Sequence, residues 1–187
     1  MSAGPLSYCA LSPGQCMRLV QEAAALASRD GVVYQAGTGL GKVDPQEYSA
    51  RESFLNLLPP LDWVAPVLES ALIVAARRYG FRSLHLVEMP RLLTYAPGGH
   101  FAWHVDSPPH VRPLTPARKV TVSVQLTDAA AYEGGEFLIE SPSQEVETVC
   151  RMQGNLVAFP AWLRHRVMPV TQGTRRALVA WGYEGPK

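Results

Sequence analysis

Apolar residues recur at helical spacing twice in the first part of the chain and then give way to alternation. Cys16, Leu19, Val20, Ala23 and Ala27 fall on one helical face at i, i+3, i+4 and i+7. Ser12 suits an N-cap, Pro13 the first helical position and Gln15 the reciprocal capping-box position. The spacing therefore predicts a helix from Pro13 that ends at Arg29-Asp30-Gly31. A second helix is expected from near Asp62 to Arg78, on the stripe Val64, Val67, Leu68, Ala71, Leu72 and Ala75. Gly80 stands where its C-terminal cap belongs, and Pro66 is tolerated because it lies in the first turn.

Beyond residue 83 the period becomes strand-like. The runs LHLVEM, RLLTYA, HFAWHVD, KVTVSVQLT, EFLIE, NLVAFP and RALVAWGY are separated by Pro, Gly, Asp and Ser clusters. Several short strands with turn signals between them predict a β-sandwich or barrel, with the helices covering one sheet face. The expected class is mainly β with supporting helices (α+β). No repeat or low-complexity linker divides the chain, so 1–187 reads as one domain. Residues 1–82 are its helical support region and 83–187 its β core.

Composition narrows the function classes. With 47% hydrophobic and 18% charged residues and a formal charge of +1, the chain has the balance of a globular protein and no basic excess for nucleic acid. Apolar stretches are too short for a membrane span, and the N-terminal residues do not read as a secretory signal. Three cysteines without a CxxC pair favour free thiols and a cytoplasmic setting. The glycine-rich stretch from 35 to 49 fails as a phosphate loop, because Ala36 and Val43 stand where glycine and Ser/Thr are required. A flexible loop is the expectation there.

Chemistry concentrates around HVD. On a strand, His104 and Asp106 point to one side and present an imidazole and a carboxylate together. A third donor must come from elsewhere, and His165, in GNLVAFPAWLRHRVMPV, has the most suggestive surroundings. Two histidines and a carboxylate form the facial triad of non-haem iron oxygenases, with coordination positions left open. His100 and His110 sit in loop contexts and read as surface or pocket-rim residues. His85 reads as core or edge, and Trp103 and Trp162 as pocket wall or packing. Gly134 and Gly135 read as a turn or bulge, and Arg118, Lys119, Arg164 and Arg166 as solvated charge.

The order HVD, GGEF, GNLVAFP, then HRVMPVTQGTRRALVAW resembles the Fe(II)/2-oxoglutarate dioxygenases, with the prolyl 4-hydroxylase group and its bacterial PKHD-type relatives as the nearest branch. The resemblance implies a double-stranded β-helix (jelly roll) core and a triad of His104, Asp106 and His165. It implies Fe(II) as metal, 2-oxoglutarate as cosubstrate, dioxygen as co-reactant and ascorbate as an auxiliary reductant. Arg175 matches the residue that pairs with the far carboxylate of the cosubstrate. A guanidinium heading the apolar strand ALVAWGY is costly to bury without an anion, which agrees. Both faces of that strand are apolar, so periodicity does not choose between Arg175 and Arg176. Tyr95 matches a tyrosine beside the cosubstrate, and Thr121, Ser123 and Gln125 share a polar strand face that would line the pocket. The implied activity is hydroxylation of an aliphatic C–H in a peptidyl or free amino acid, proline included, or in a small natural-product intermediate. Succinate and CO₂ would be released. The residue types alone also admit a cupin-like metalloenzyme without 2-oxoglutarate, or a ligand-binding jelly roll without catalysis.

Overall fold

The computed structural model describes residues 4–34, 41–107 and 117–185. The N-terminal part runs β1 (Leu6–Cys9), α1 (Pro13–Ala23), β2 (Ser28–Asp30), β3 (Val33–Tyr34), β4 (Gly41–Lys42), β5 (Tyr48–Ser49), β6 (Arg51–Phe54), α2 (Val64–Tyr79) and β7 (Leu84–Leu86). It is followed by β8 (Arg91–Tyr95), β9 (His100–His104), β10 (Arg118–Gln125), β11 (Tyr132–Gly134), β12 (Phe137–Glu140) and β13 (Val146–Thr148). The chain closes with β14 (Asn155–Pro160), β15 (His165–Val167), β16 (Val170–Gly173) and β17 (Arg175–Glu184).

Both helices form where the apolar stripes place them. Ser12 and Gln15 make the reciprocal capping box at the start of α1. Gly80 ends α2 in the left-handed conformation, φ 77°, and Arg77 and Arg78 lie in the last turn, where cations complement the helix dipole. The indole N–H of Trp63 donates to Glu22, 2.9 Å, tying the start of α2 to α1. The first helix is shorter than its pattern predicts, with Ala24 as its C-cap. Ser28–Asp30 is instead extended against β6, where Arg51 binds Asp30 at 2.6 Å. Strand pairing thus overrides a helical pattern that Ala27 only weakly extended.

An eight-stranded antiparallel sheet has the order β1-β14-β10-β17-β8-β6-β2, with β7 also paired to β17. A five-stranded sheet has the order β13-β12-β15-β9-β5. Alternation along the larger sheet separates two cores. Val120, Val122, Val124, Leu156, Ala158, Leu178 and Ala180 pack outward against α1 and α2, around Leu19, Leu68 and Leu72. Leu93, Tyr95, Val157, Phe159, Val179 and Trp181 point the other way, toward Tyr48, Phe137, Ile139 and Val167 of the smaller sheet. Every strand run expected after residue 83 is present. The region expected to be helical support also supplies strands: β1, β2 and β6 extend the larger sheet and β5 the smaller. These are two to four residues long, too short for alternation to announce them. Among the described residues no helix is long and apolar enough to cross a membrane. The 35–40 part of the glycine-rich stretch, and His110, lie outside the described residues.

Candidate metal centre

His104 ends β9, His165 begins β15, and the two residues are paired across the smaller sheet. Each imidazole is oriented by its own chain. Nδ1 of His104 lies 2.8 Å from the Ala102 carbonyl, and Nδ1 of His165 lies 2.9 Å from the Leu163 carbonyl. A carbonyl only accepts, so each Nδ1 carries a proton and each Nε2 is the nitrogen turned to the shared site, available to a metal. Asp106 follows the end of β9, and its backbone N–H donates to the Ala161 carbonyl at 2.9 Å. The carboxylate faces both rings: Oδ1 lies 3.8 Å from Nε2 of His104, and Oδ2 lies 3.5 Å from Nε2 of His165. The ligand atoms of these three residues all lie within 4.8 Å of one another.

The electrostatics fit a divalent cation. Burial, reinforced by the neighbouring His165, pushes His104 down to about 4, so the ring is a neutral ligand at physiological pH. Burial alone would raise Asp106, but His165, His104 and Arg118 outweigh it and hold the carboxyl well below the usual carboxylate range. Aromatic rings wall the centre. Phe101 stacks on His104, centroids 3.5 Å apart, and Phe159 meets His165 edge-on at 4.9 Å. Two imidazoles and one carboxylate are a donor set suited to Fe(II), and they leave positions free for other ligands.

A small pocket lies between the sheets, lined in part by Arg175, Ser123, Gln125, Tyr132, Phe137 and Asn155. Arg175 shares the inward parity of Val179 and Trp181 and is only 3% exposed. Its guanidinium sits 5.4 Å from the ring of Tyr95 and 5.9 Å from that of Phe137. It makes no ion pair or side-chain hydrogen bond among the described residues. A buried, unpartnered cation facing a cavity fits an anionic ligand such as a carboxylate. Arg176 has the opposite parity, and its backbone N–H donates to Thr127 Oγ1 at 2.7 Å. The helices decide between the two, because they cover the outer face of β17 and leave the inner face to Arg175.

The other expected pocket residues divide by partner. Ser123 lines the cavity. Gln125 does too, while its amide donates to the Thr127 carbonyl at 2.9 Å and to the Tyr132 hydroxyl at 3.2 Å. Tyr95 is buried beneath Arg175, and burial pushes its phenol up. Thr121 lies on the same inward face, but its hydroxyl donates to Asp106 Oδ2 at 2.6 Å. Gly135, φ 63°, follows a register shift in β11, and a Cβ there would stand 3.1 Å from Arg175 Cδ. Outside the triad, His100 sits between the Gly98 and Gln46 carbonyls, 2.9 Å from each. His85 is exposed on β7. Trp162 is half-exposed beside Phe81, and Trp103 lies 5.4 Å and 5.6 Å from the guanidiniums of Arg164 and Arg166.

Arg118 is the residue whose place sequence reasoning missed. Its Nε and Nη2 bind Glu88 at 2.6 and 2.8 Å, its guanidinium lies 3.8 Å from the Trp181 ring, and Nη1 is 3.9 Å from Asp106 Oδ1. The Tyr183 hydroxyl also donates to Glu88. A register shift between Arg118 and Val120 breaks the alternation there, so no periodic signal could mark Arg118 as inward.

Comparison with known proteins agrees with this geometry. Residues 90–183 match the model of the 2OG-Fe(II) oxygenase superfamily. A PKHD-type hydroxylase of Hyphomonas neptunium is 38% identical over 100 residues, covering 52% of this chain and 44% of the relative. One of Pseudomonas putida is 31% identical over 148 residues, covering 75% and 65%. The matches to these curated relatives thus span about half to two thirds of their length. Among solved structures, a P. putida prolyl-4-hydroxylase superposes with a TM-score of 0.69 at 16% identity, covering 98% of this chain and 94% of that one. A Trichoplax adhaerens prolyl hydroxylase, in complex with a hypoxia-inducible-factor peptide fragment, gives 0.72 at 16%, covering 97% and 84%. The two-sheet architecture is therefore the double-stranded β-helix of those enzymes, the sequence is similar to PKHD-type hydroxylases, and the chain belongs to the 2OG-Fe(II) oxygenase superfamily.

Proposed function

We propose that this protein is an Fe(II)- and 2-oxoglutarate-dependent dioxygenase that hydroxylates an aliphatic C–H bond. The observation that carries the reading is Arg175, buried and without an anion, in a pocket between the sheets that also hold the triad. His104, Asp106 and His165 would hold the metal through Nε2, one carboxylate and Nε2. Arg175 would fork onto the distal carboxylate of 2-oxoglutarate, with Tyr95 packed beneath it and Ser123 and Gln125 as polar wall. When bound, Fe(II) and 2-oxoglutarate supply the oxidising chemistry, in which dioxygen is consumed and succinate and CO₂ are released. The protein supplies two oriented imidazoles, an oriented carboxylate and a walled site that limits side reactions.

The proposed substrate is a peptidyl or free amino acid, with proline the leading case, or a small natural-product intermediate. Support for a peptide comes from the prolyl hydroxylase neighbours, one of which is bound to a peptide. Ascorbate is the proposed auxiliary reductant. The cytoplasm is the proposed location, supported by three free cysteines, Cys9, Cys16 and Cys150. Helices and both sheets share continuous cores, which supports reading 1–187 as one domain. The test is anaerobic: metal-free protein receives Fe(II) and then 2-oxoglutarate, and the visible spectrum is recorded. A metal-to-ligand charge-transfer band, lost in His104→Ala, supports the assignment, and succinate release then ranks candidate substrates. Iron-loaded protein without the band would move the assignment to a cupin-like enzyme that does not use 2-oxoglutarate.

A further inference from the structure

The three triad side chains are not held alike. Each imidazole is fixed by a carbonyl two residues before it in the chain. Asp106 lies past the end of β9, and its backbone bond to Ala161 positions the main chain only. Its carboxylate has two oxygens, each closest to a different imidazole. A carboxylate with both oxygens free can chelate a metal and occupy two positions. Held through one oxygen, it occupies one.

What holds the carboxylate comes from the opposite sheet. Thr121, on β10 and 2% exposed, donates its hydroxyl proton to Oδ2 at 2.6 Å. Among the described residues outside the triad, Arg118 reaches only to 3.9 Å from Oδ1, with its Nε and Nη2 occupied by Glu88. A hydroxyl has one proton, so while Thr121 donates to Asp106 it has none to offer a ligand in the pocket. Building on the metal reading above, we infer that Thr121 is a positioning residue. Its hydroxyl reserves Oδ2, so Asp106 offers the metal the single oxygen Oδ1 and leaves room for a bidentate cosubstrate. The same strand face carries Ser123 and Gln125, and β10 pairs with the strand that carries Arg175, Gln125 standing opposite Ala177. Thr121 thereby ties the metal centre on the smaller sheet to the strand of the larger sheet that lines the anion pocket.

The test uses the full chain, stripped of metal and titrated with Co(II) alone, reading affinity and the visible ligand-field spectrum. Thr121→Val keeps shape and removes the proton, whereas Thr121→Ser keeps the donor. The valine variant is expected to bind Co(II) about 10- to 100-fold more weakly, the usual cost of losing a group that orients a metal ligand. Its spectrum should also change, because the carboxylate is free to turn. The serine variant should keep the wild-type spectrum and most of the affinity. Wild-type affinity and spectrum in Thr121→Val would overturn the inference, as would a serine variant as impaired as the valine one. If the valine variant does not fold, Thr121→Ala takes its place in the same comparison with serine. Folded wild-type protein that takes up no Co(II) would instead refute the metal reading itself, before any substitution is made.

Discussion

Arg175 costs the fold and serves the ligand, so Arg175→Met should move stability and binding in opposite directions. An unpaired guanidinium that is 3% exposed carries a desolvation penalty of several kcal/mol, even after relaxation. The rings of Tyr95 and Phe137, 5.4 and 5.9 Å away, return about 0.5–2 kcal/mol each. The pocket's opening to solvent lowers the cost further. A net penalty of about 1–3 kcal/mol is left in the ligand-free protein. Methionine fills similar volume without charge and should raise stability by that amount, roughly 2–4 °C in Tm per kcal/mol for a chain of this size. The same change removes a buried charge-assisted fork to 2-oxoglutarate, a loss of about 2–5 kcal/mol. That converts to roughly 30- to 4000-fold in Kd. Urea denaturation of the metal-free protein and calorimetric titration of 2-oxoglutarate into Co(II)-loaded protein measure the two sides. A variant that is less stable than wild type, yet binds 2-oxoglutarate within about threefold of it, would refute the reasoning.

Gly135→Ala should impair the same pocket by crowding, since its Cβ would lie 2.9 Å from Val170 Cγ2 and 3.1 Å from Arg175 Cδ at φ 63°. About 1–2 kcal/mol of backbone strain and a weaker 2-oxoglutarate titration are expected, and unchanged binding would show that Arg175 has slack. Leu68→Ala, in α2 and fully buried, should cost about 2–5 kcal/mol in urea melts. Co(II) affinity should be unaffected, because Leu68 packs on the outer face of the larger sheet. Glu88 supplies a pH signature. Burial would raise its carboxyl, but Arg118, Tyr183 and Arg91 outweigh that and hold it below its ordinary value. A carboxyl lowered in the folded state binds fewer protons there than when unfolded. Its contribution is therefore present above about pH 4.5 and is lost as pH falls through the folded-state value. Glu88→Gln should lower the urea midpoint near neutral pH and converge with wild type in acid, and a pH-independent difference would count against the ion pair.

The sequence by itself determined the elements with long, regular patterns and the residues whose types constrain them. The α2 stripe ending at Gly80 is one such case. The alternation that sends Val120, Val122 and Val124 to one side and Thr121, Ser123 and Gln125 to the other is a second. HVD on a strand placed His104 and Asp106 together because strand periodicity is local. His165 was legible only through the motif around it, since its nearness to His104 is a pairing across the smaller sheet.

Tertiary structure alone decided what depends on distant partners. Arg175 faces the pocket and Arg176 does not, because two helices from the other half of the chain occupy the outer face of an otherwise two-sidedly apolar strand. The short strands β1, β2, β5 and β6 exist because longer strands offer them edges, and two to four residues carry no period of their own. Ser28–Asp30 left the helical pattern for the same reason. Arg118 turned inward past a register shift toward Glu88, Trp181 and Asp106, groups that only folding brings near. The Thr121 hydroxyl was assigned to the pocket by its strand face, but the carboxylate it binds approaches from the opposite sheet. Periodicity fixes which face a side chain takes, and the packing of one element against another fixes what it meets there.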